Sequence, residues 1–142
     1  VSQISVFANS KPGHMGRVLD LFEAAGVSVR GFSAADTGEY GIVRFIVDKP
    51  DQALALLAER GAAARASEVL CVRLADEPGA LRHVMEACSE AGINIVYCYS
   101  LASTFIARSV KDIASAERAL AGADIELVDQ AELARSLAGV AL

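Results

Sequence analysis

The residues best placed to do chemistry form a short turn that occurs twice. Asn9-Ser10-Lys11-Pro12-Gly13-His14-Met15 separates an alternating apolar run from an amphipathic one, and Ala75-Asp76-Glu77-Pro78-Gly79-Ala80-Leu81 repeats its Pro-Gly core 66 positions later. Proline has no N–H to satisfy and so suits a helix entry, and the glycine beside it lets a ligand approach the backbone closely. The unpaired N–H groups and partial positive charge of a helix start can hold a carboxylate without any basic side chain. Asp76, next to the second turn, can accept from an ammonium group, and the two together complement a free amino acid. The same residues also make an ordinary strand-to-helix turn, with Asp76 or, in the first copy, Asn9 or Ser10 as the cap. Repetition in register says that a backbone shape recurs; it does not by itself say that a ligand binds. Asn94 is the other polar residue of interest, because asparagine is disfavoured in strands. It makes either a specific hydrogen bond or the bonds of a turn residue after Gly92.

Catalytic constellations are missing. His14 and His83 occupy different repeat positions, and neither has a carboxylate or cysteine at metal-ligand spacing. There is no Gly-x-Ser-x-Gly elbow, phosphate-binding Walker loop or dinucleotide fingerprint. The serines and carboxylates are scattered without a base and an orienting group. The chain is therefore expected not to be an enzyme, and no cofactor or metal is expected. An acyl-phosphate hydrolase on a similar fold would need an arginine beside the phosphate turn, which is lacking.

The elements around the turns repeat as well. Ala25-Gly26-Val27-Ser28-Val29 corresponds to Ala91-Gly92-Ile93-Asn94-Ile95, and Met15, Val18, Leu19 and Phe22 correspond to Leu81, Val84, Met85 and Cys88. Gln3–Ala8 alternates as a half-buried strand, and the apolar positions of His14–Ala25 have helical spacing ended by Gly26. Val27–Ala34 and Gly41–Val47 read as a hairpin, a helix follows Pro50, and Ala64–Ser67 reads as a short fourth strand. This order, β-α-β-β-α-β, is the ferredoxin-like split βαβ pattern. It recurs with strands at Val69–Leu74, Ile93–Leu101, Thr104–Val110 and Ile125–Val128 and helices at Ala80–Ala91 and Asp112–Ala121. The expected fold class is α+β: two such modules, 1–67 and 68–142, paired side by side into one antiparallel sheet with helices on one face. Leu133 and Leu137, four apart, predict a short terminal helix at about 130–138, packed on the second module.

Composition narrows the setting. With 142 residues, 54% hydrophobic and 22% charged, the chain can bury a core. Its net charge of −5 argues against nucleic acid or an anionic membrane as partner. No apolar run reaches the ~18 residues of a spanning helix, and no signal peptide is visible. Cys71, Cys88 and Cys98 are odd in number and lack CxxC spacing, which fits small reduced apolar residues in a cytoplasmic setting. Alternation places Phe7, Phe32, Ile42, Ile46, Val96 and Cys98 on the sheet face away from the helices, among Ser5, Arg30, Arg44 and Arg108. So apolar a face suggests a partner, expected to be a second copy of the chain, against the reading of an ordinary mixed solvent face.

Val6-Phe7-x-Asn9-x-Lys11-Pro12-Gly13, Ala25 to Val29, Ser33-x-Ala35-Asp36-Thr37-x-x-Tyr40-Gly41-Ile42-Val43-Arg44, Glu68-Val69-Leu70-x-Val72, and Pro78-Gly79 through Ile95 together resemble a tandem ACT-domain protein over nearly the whole chain, least after Phe105. The resemblance implies regulatory modules that bind amino acids where two modules pair, between the first turn of one and the early second strand of the other. In the serine-sensing members an asparagine two before the proline and the asparagine of the Ile-Asn-Ile strand hold the ligand. Those positions are Ser10 and Ser28 in copy one, and Asp76 and Asn94 in copy two. A histidine further upstream in those members is replaced by Ala8 and Leu74, so the ligand need not be serine. The implied ligand set is Asn9, Ser10, Pro12, Gly13, His14, Met15, Ser28 and Val29 with Asp76, Pro78, Gly79, Ala80, Leu81, Asn94 and Ile95. The function expected is a non-catalytic sensor of a small amino acid acting on an unnamed enzyme. The alternative is an assembly module of the same fold with empty sites.

Overall fold

The computed structural model describes residues 1–9, 12–36, 38, 40–101, 104–109 and 112–136. Contacts divide the chain into two units, one of Ser2–Ser67 with the segment from Gln130 onward, the other of Val1 with Glu68–Asp129.

In the first unit, β1 (Ser2–Asn9), α1 (His14–Ala24), β2 (Val29–Asp36), β3 (Tyr40–Val47), α2 (Pro50–Glu59) and β4 (Ala63–Glu68) follow the expected order. The strands lie β2-β3-β1-β4, the ferredoxin-like arrangement. Ile4, Val6, Phe45 and Val47 meet Val18 and Phe22 of α1 and Ala53 and Leu57 of α2 in one core. The Phe22 and Phe45 rings touch edge to face, centroids 5.2 Å apart.

The second unit repeats the order with β5 (Leu70–Arg73), α3 (Ala80–Glu90), β6 (Ile95–Leu101), β7 (Thr104–Ser109) and α4 (Ile113–Gly122). Its strands lie β5-β7-β6. Leu70 and Val72 pack with Val84, Ala87 and Cys88 of α3 and Ala116 and Leu120 of α4. The strand expected at Ile125–Val128 contracts to a single antiparallel bridge, Val72 to Leu127. Two hydrogen bonds hold it, Arg73 N–H to Glu126 C=O at 2.9 Å and Val128 N–H to Cys71 C=O at 2.8 Å. Asp112 caps α4, its carboxylate accepting from the Ser115 amide and hydroxyl at 3.0 Å each.

Two expectations need correction. The terminal helix α5 (Gln130–Ser136) belongs to the first unit, not the second. A leucine spacing of four predicts a helix but not the surface that receives it; polar side chains decide that here. Gln130 accepts from Ser2 N–H at 3.0 Å and donates to Val47 C=O at 3.1 Å. With Ile4 opposite Phe45, Ser2 and Val47 are the pair that would close the end of the β1–β3 ladder. The glutamine amide thus stands in as its last rung. Leu133 beside it is buried.

The second correction concerns the sheet faces. β2 has a register break between Val29 and Gly31, and β6 has one between Ile95 and Tyr97. The extra residues are Arg30 and Val96, 66 positions apart, so the bulge repeats with the module. A bulge shifts the alternation by one. Phe32 therefore lies opposite Phe45, in the row of Ile4 that faces α1 and α2, and it is exposed because β2 is an edge strand. Cys98 lies opposite Ala107, which lies opposite Leu70, again in the helix-side row. Ile46, expected on an open face, is fully buried, and Phe7 and Ile42 are half-buried. Val96 is exposed. The side chain of Arg108 lies outside the described residues.

Candidate functional site

Both turns adopt one backbone shape. Gly13 sits at φ 84°, ψ −6° and Gly79 at φ 87°, ψ −9°, each in the left-handed region just before its helix. That region is where a side chain crowds the following carbonyl, so glycine is required. The N-cap residue of each helix is the glycine itself, which has no side chain to cap with. The alternative reading of Asp76 as an N-cap is not realised, and capping by the Asn9 or Ser10 side chain lies outside the described residues. Backbone closes the second turn instead: Ala80 N–H donates to Glu77 C=O at 3.3 Å and His83 N–H to Gly79 C=O at 3.0 Å. The amides of Leu81 and Arg82, second and third in the helix, have no intrahelical acceptor.

The second turn borders a cavity of about 650 Å³. Asp76, Pro78, Gly79 and Ala80 line it, together with Arg73, Glu77, His83, Asp124 and Glu126. Arg73 Nε donates to Glu126 Oε1 at 2.9 Å, which ties β5 to the segment after α4 at the cavity wall. Asp124 is the one non-glycine residue with positive φ (62°) among those described. It ends α4 where Gly26, Gly61 and Gly92 end the other helices. Carboxylates outnumber arginines in the lining: Asp76, Glu77, Asp124 and Glu126 against Arg73 and Arg82.

Ser28 and Val29 line a second cavity, of about 380 Å³, with Leu19, Phe22, Glu23, Gly26 and Val27. Ser28 is already engaged: its N–H donates to Asp48 Oδ1 at 2.8 Å and its Oγ accepts from Arg30 Nη1 at 2.8 Å. Asn94, its counterpart, is exposed and has no side-chain hydrogen bond among the described residues. Asn94, Ile95 and Leu81 do not line the larger cavity, and Pro12, Gly13, His14 and Met15 line neither. Pro12 and Gly13 are exposed, His14 and Met15 half-buried. His14 Nε2 is shielded from solvent without a partner among the described residues. Asn9 ends β1, with its side chain outside the described residues, and Ser10 lies outside them entirely.

Sequence reasoning missed Arg73, Asp124, Glu126 and Arg30. Asp124 carried a signal, standing where the other helices end in glycine; the rest depend on tertiary neighbours. Cys71 and Cys88 are buried and in no disulfide, and burial pushes the Cys88 thiol up. Among the described residues no group of His, Cys, Asp and Glu could hold a metal, and no helix is long and apolar enough to cross a membrane.

The family model for an ACT domain pair matches residues 1–134. The chain belongs to the ACT domain pair family. This ACT pair also matches solved structures over most of its length. One is protein BT0572 from Bacteroides thetaiotaomicron, at TM-score 0.89 and 24% identity, covering 95% of this chain and 96% of that one. The ligand-free regulatory subunit of aspartate kinase from Thermus thermophilus matches at TM-score 0.62 and 21% identity, covering 86% and 91%. That of Thermus flavus matches at 0.58 and 18%, covering 87% and 92%. Such identities carry the fold. No curated protein matches the sequence. ACT domain pairs are regulatory rather than catalytic modules, so the ACT pair is a regulatory, non-enzymatic fold.

Proposed function

We propose that this ACT pair senses a small amino acid, held at the second module by the turn at Gly79 and by Asp76. The observation that carries the reading is the left-handed glycine turn at Gly79, facing a cavity whose wall also presents Asp76. The amide of Arg82, a residue of the cavity wall, takes the α-carboxylate. Asp76 takes the α-ammonium through a charge-assisted hydrogen bond. The Thermus aspartate kinase regulatory subunits, named as regulatory proteins, support a role in controlling an enzyme of metabolism.

Thermal unfolding in the presence of each of the twenty amino acids tests this. A ligand at 100 times its Kd adds about 2.7 kcal/mol of stability. Asp76→Asn removes a charged hydrogen bond worth roughly 1.5–3 kcal/mol and should weaken binding about tenfold or more. If no amino acid shifts the transition, the reading fails. A second reading, an assembly module without ligand, is favoured by Phe32 and Val96, each more than half exposed on an edge strand. It predicts self-association in sedimentation that ignores every amino acid and survives Asp76→Asn.

A further inference from the structure

The half-buried guanidinium of Arg30 is bonded to neutral oxygens among the described residues. Its three acceptors among them are Ser28 Oγ at 2.8 Å from Nη1, Leu133 C=O at 3.4 Å from Nε and Ala134 C=O at 2.7 Å from Nη2. Among the described residues it forms no ion pair, in a chain of net charge −5. The nearest carboxylate along the hydrogen-bond chain, Asp48, is taken by the Ser28 amide. Leu133 and Ala134 lie in α5, so the guanidinium bonds two carbonyls of that helix, on the side of its negative dipole end. A guanidinium bonds a carboxylate about twice as strongly as a neutral oxygen, and in a planar two-pronged fit. The carbonyls are therefore weak occupants of an anion-binding group.

We infer that α5 is an intrasteric strap: its carbonyl end occupies a carboxylate-binding position formed by Arg30 and Ser28 in the first module, and a carboxylate ligand and the docked helix exclude one another. The inference rests on the reading that these modules take a carboxylate-bearing ligand, but it concerns the other module. Two polar clasps hold the strap, Arg30 at its end and Gln130 at its start, where the amide completes the β1–β3 ladder. A carboxylate at Ser28 Oγ draws the guanidinium away from Leu133 and Ala134. The helix end loses its counter-charge, and the strap loosens. By linkage the converse holds: whatever weakens docking of α5 tightens carboxylate binding by the same factor. The second module has no such device, since Val96 stands in place of Arg30 and Asn94 is uncommitted. One module is strapped and the other is open.

The test uses the full chain labelled with nitrogen-15. The Arg30 Nε–H resonance is assigned by its loss in Arg30→Lys and followed through a titration with sodium acetate, against sodium chloride at equal ionic strength. Acetate, and not chloride, should move the resonance and speed amide exchange across α5 with a common midpoint. Leu133→Ala, which weakens the strap without touching Arg30 or Ser28, should lower that midpoint about fivefold or more. Gln130→Ala should do the same and serves if Leu133→Ala does not fold. A glycine titration separates the two carboxylate sources: a midpoint below that of acetate assigns a free amino acid, an equal one a bare carboxylate. The proposal is overturned if acetate and chloride act alike on Arg30, or if the strap variants leave the midpoint where it was. Asp76→Asn should change none of this while weakening the amino-acid response of the second module, so failure here is distinguishable from failure there.

Discussion

At the scale of the residue, two positions have consequences that can be measured alone. Gly79 has open space around its Cβ position, with no heavy atom within 4 Å, so a methyl group there meets only the strain of its backbone at φ 87°. Gly79→Ala should cost about 1–2 kcal/mol in urea unfolding, and Gly79→Asn less, since asparagine tolerates the left-handed region better. Asp112 gives a pH signature. The Ser115 amide, then the Ser115 hydroxyl, holds its carboxyl below the ordinary value of 3.8. A lowered carboxyl stabilises the fold above its unfolded pKa, and that contribution disappears as pH falls through the lower folded value. The cap should therefore be fully effective at neutral pH and fade below about pH 3.8. Asp112→Asn, followed by stability against pH, should flatten that acid limb; an unchanged limb would remove Asp112 from the account.

At the scale of the element, helices are attached to sheets by a few interior residues. Phe22 of α1, about 1% exposed and in edge contact with Phe45, is the largest such anchor in the first unit. Phe22→Ala should destabilise by about 3–5 kcal/mol in denaturant unfolding, the usual cost of emptying an aromatic site. For a unit of this size that is most of the available stability. Element identity was legible because periodicity is local: each helix and nearly every strand lies within a few residues of its expected place. The bulges at Arg30 and Val96 were not legible, because an extra residue leaves the apolar pattern of a short strand readable either way. That error of one position moved Phe32 and Cys98 to the wrong face.

At the scale of the whole molecule, the two ends of the chain decide which residues belong to which unit. Val1 joins the second, its ammonium 3.3 Å from Glu68, and α5 joins the first through Gln130 and Arg30. Gln130→Ala leaves Ser2 N–H and Val47 C=O, both partly enclosed, without their partner. The expected loss is about 1–3 kcal/mol, with faster amide exchange at Ser2 than elsewhere in β1.

The sequence by itself determined the repeat, the two ferredoxin-like modules, the glycine turns and the lack of catalytic groups, because each rests on spacing or on residue type within a few dozen positions. Tertiary structure decided the rest. It placed α5 on the first unit, bound Ser28 to Arg30, left Asn94 uncommitted and set Arg73, Asp124 and Glu126 around the turn at Gly79. These include contacts between residues as many as 128 positions apart, and no local pattern encodes which hydrogen-bonding groups will meet across such a distance.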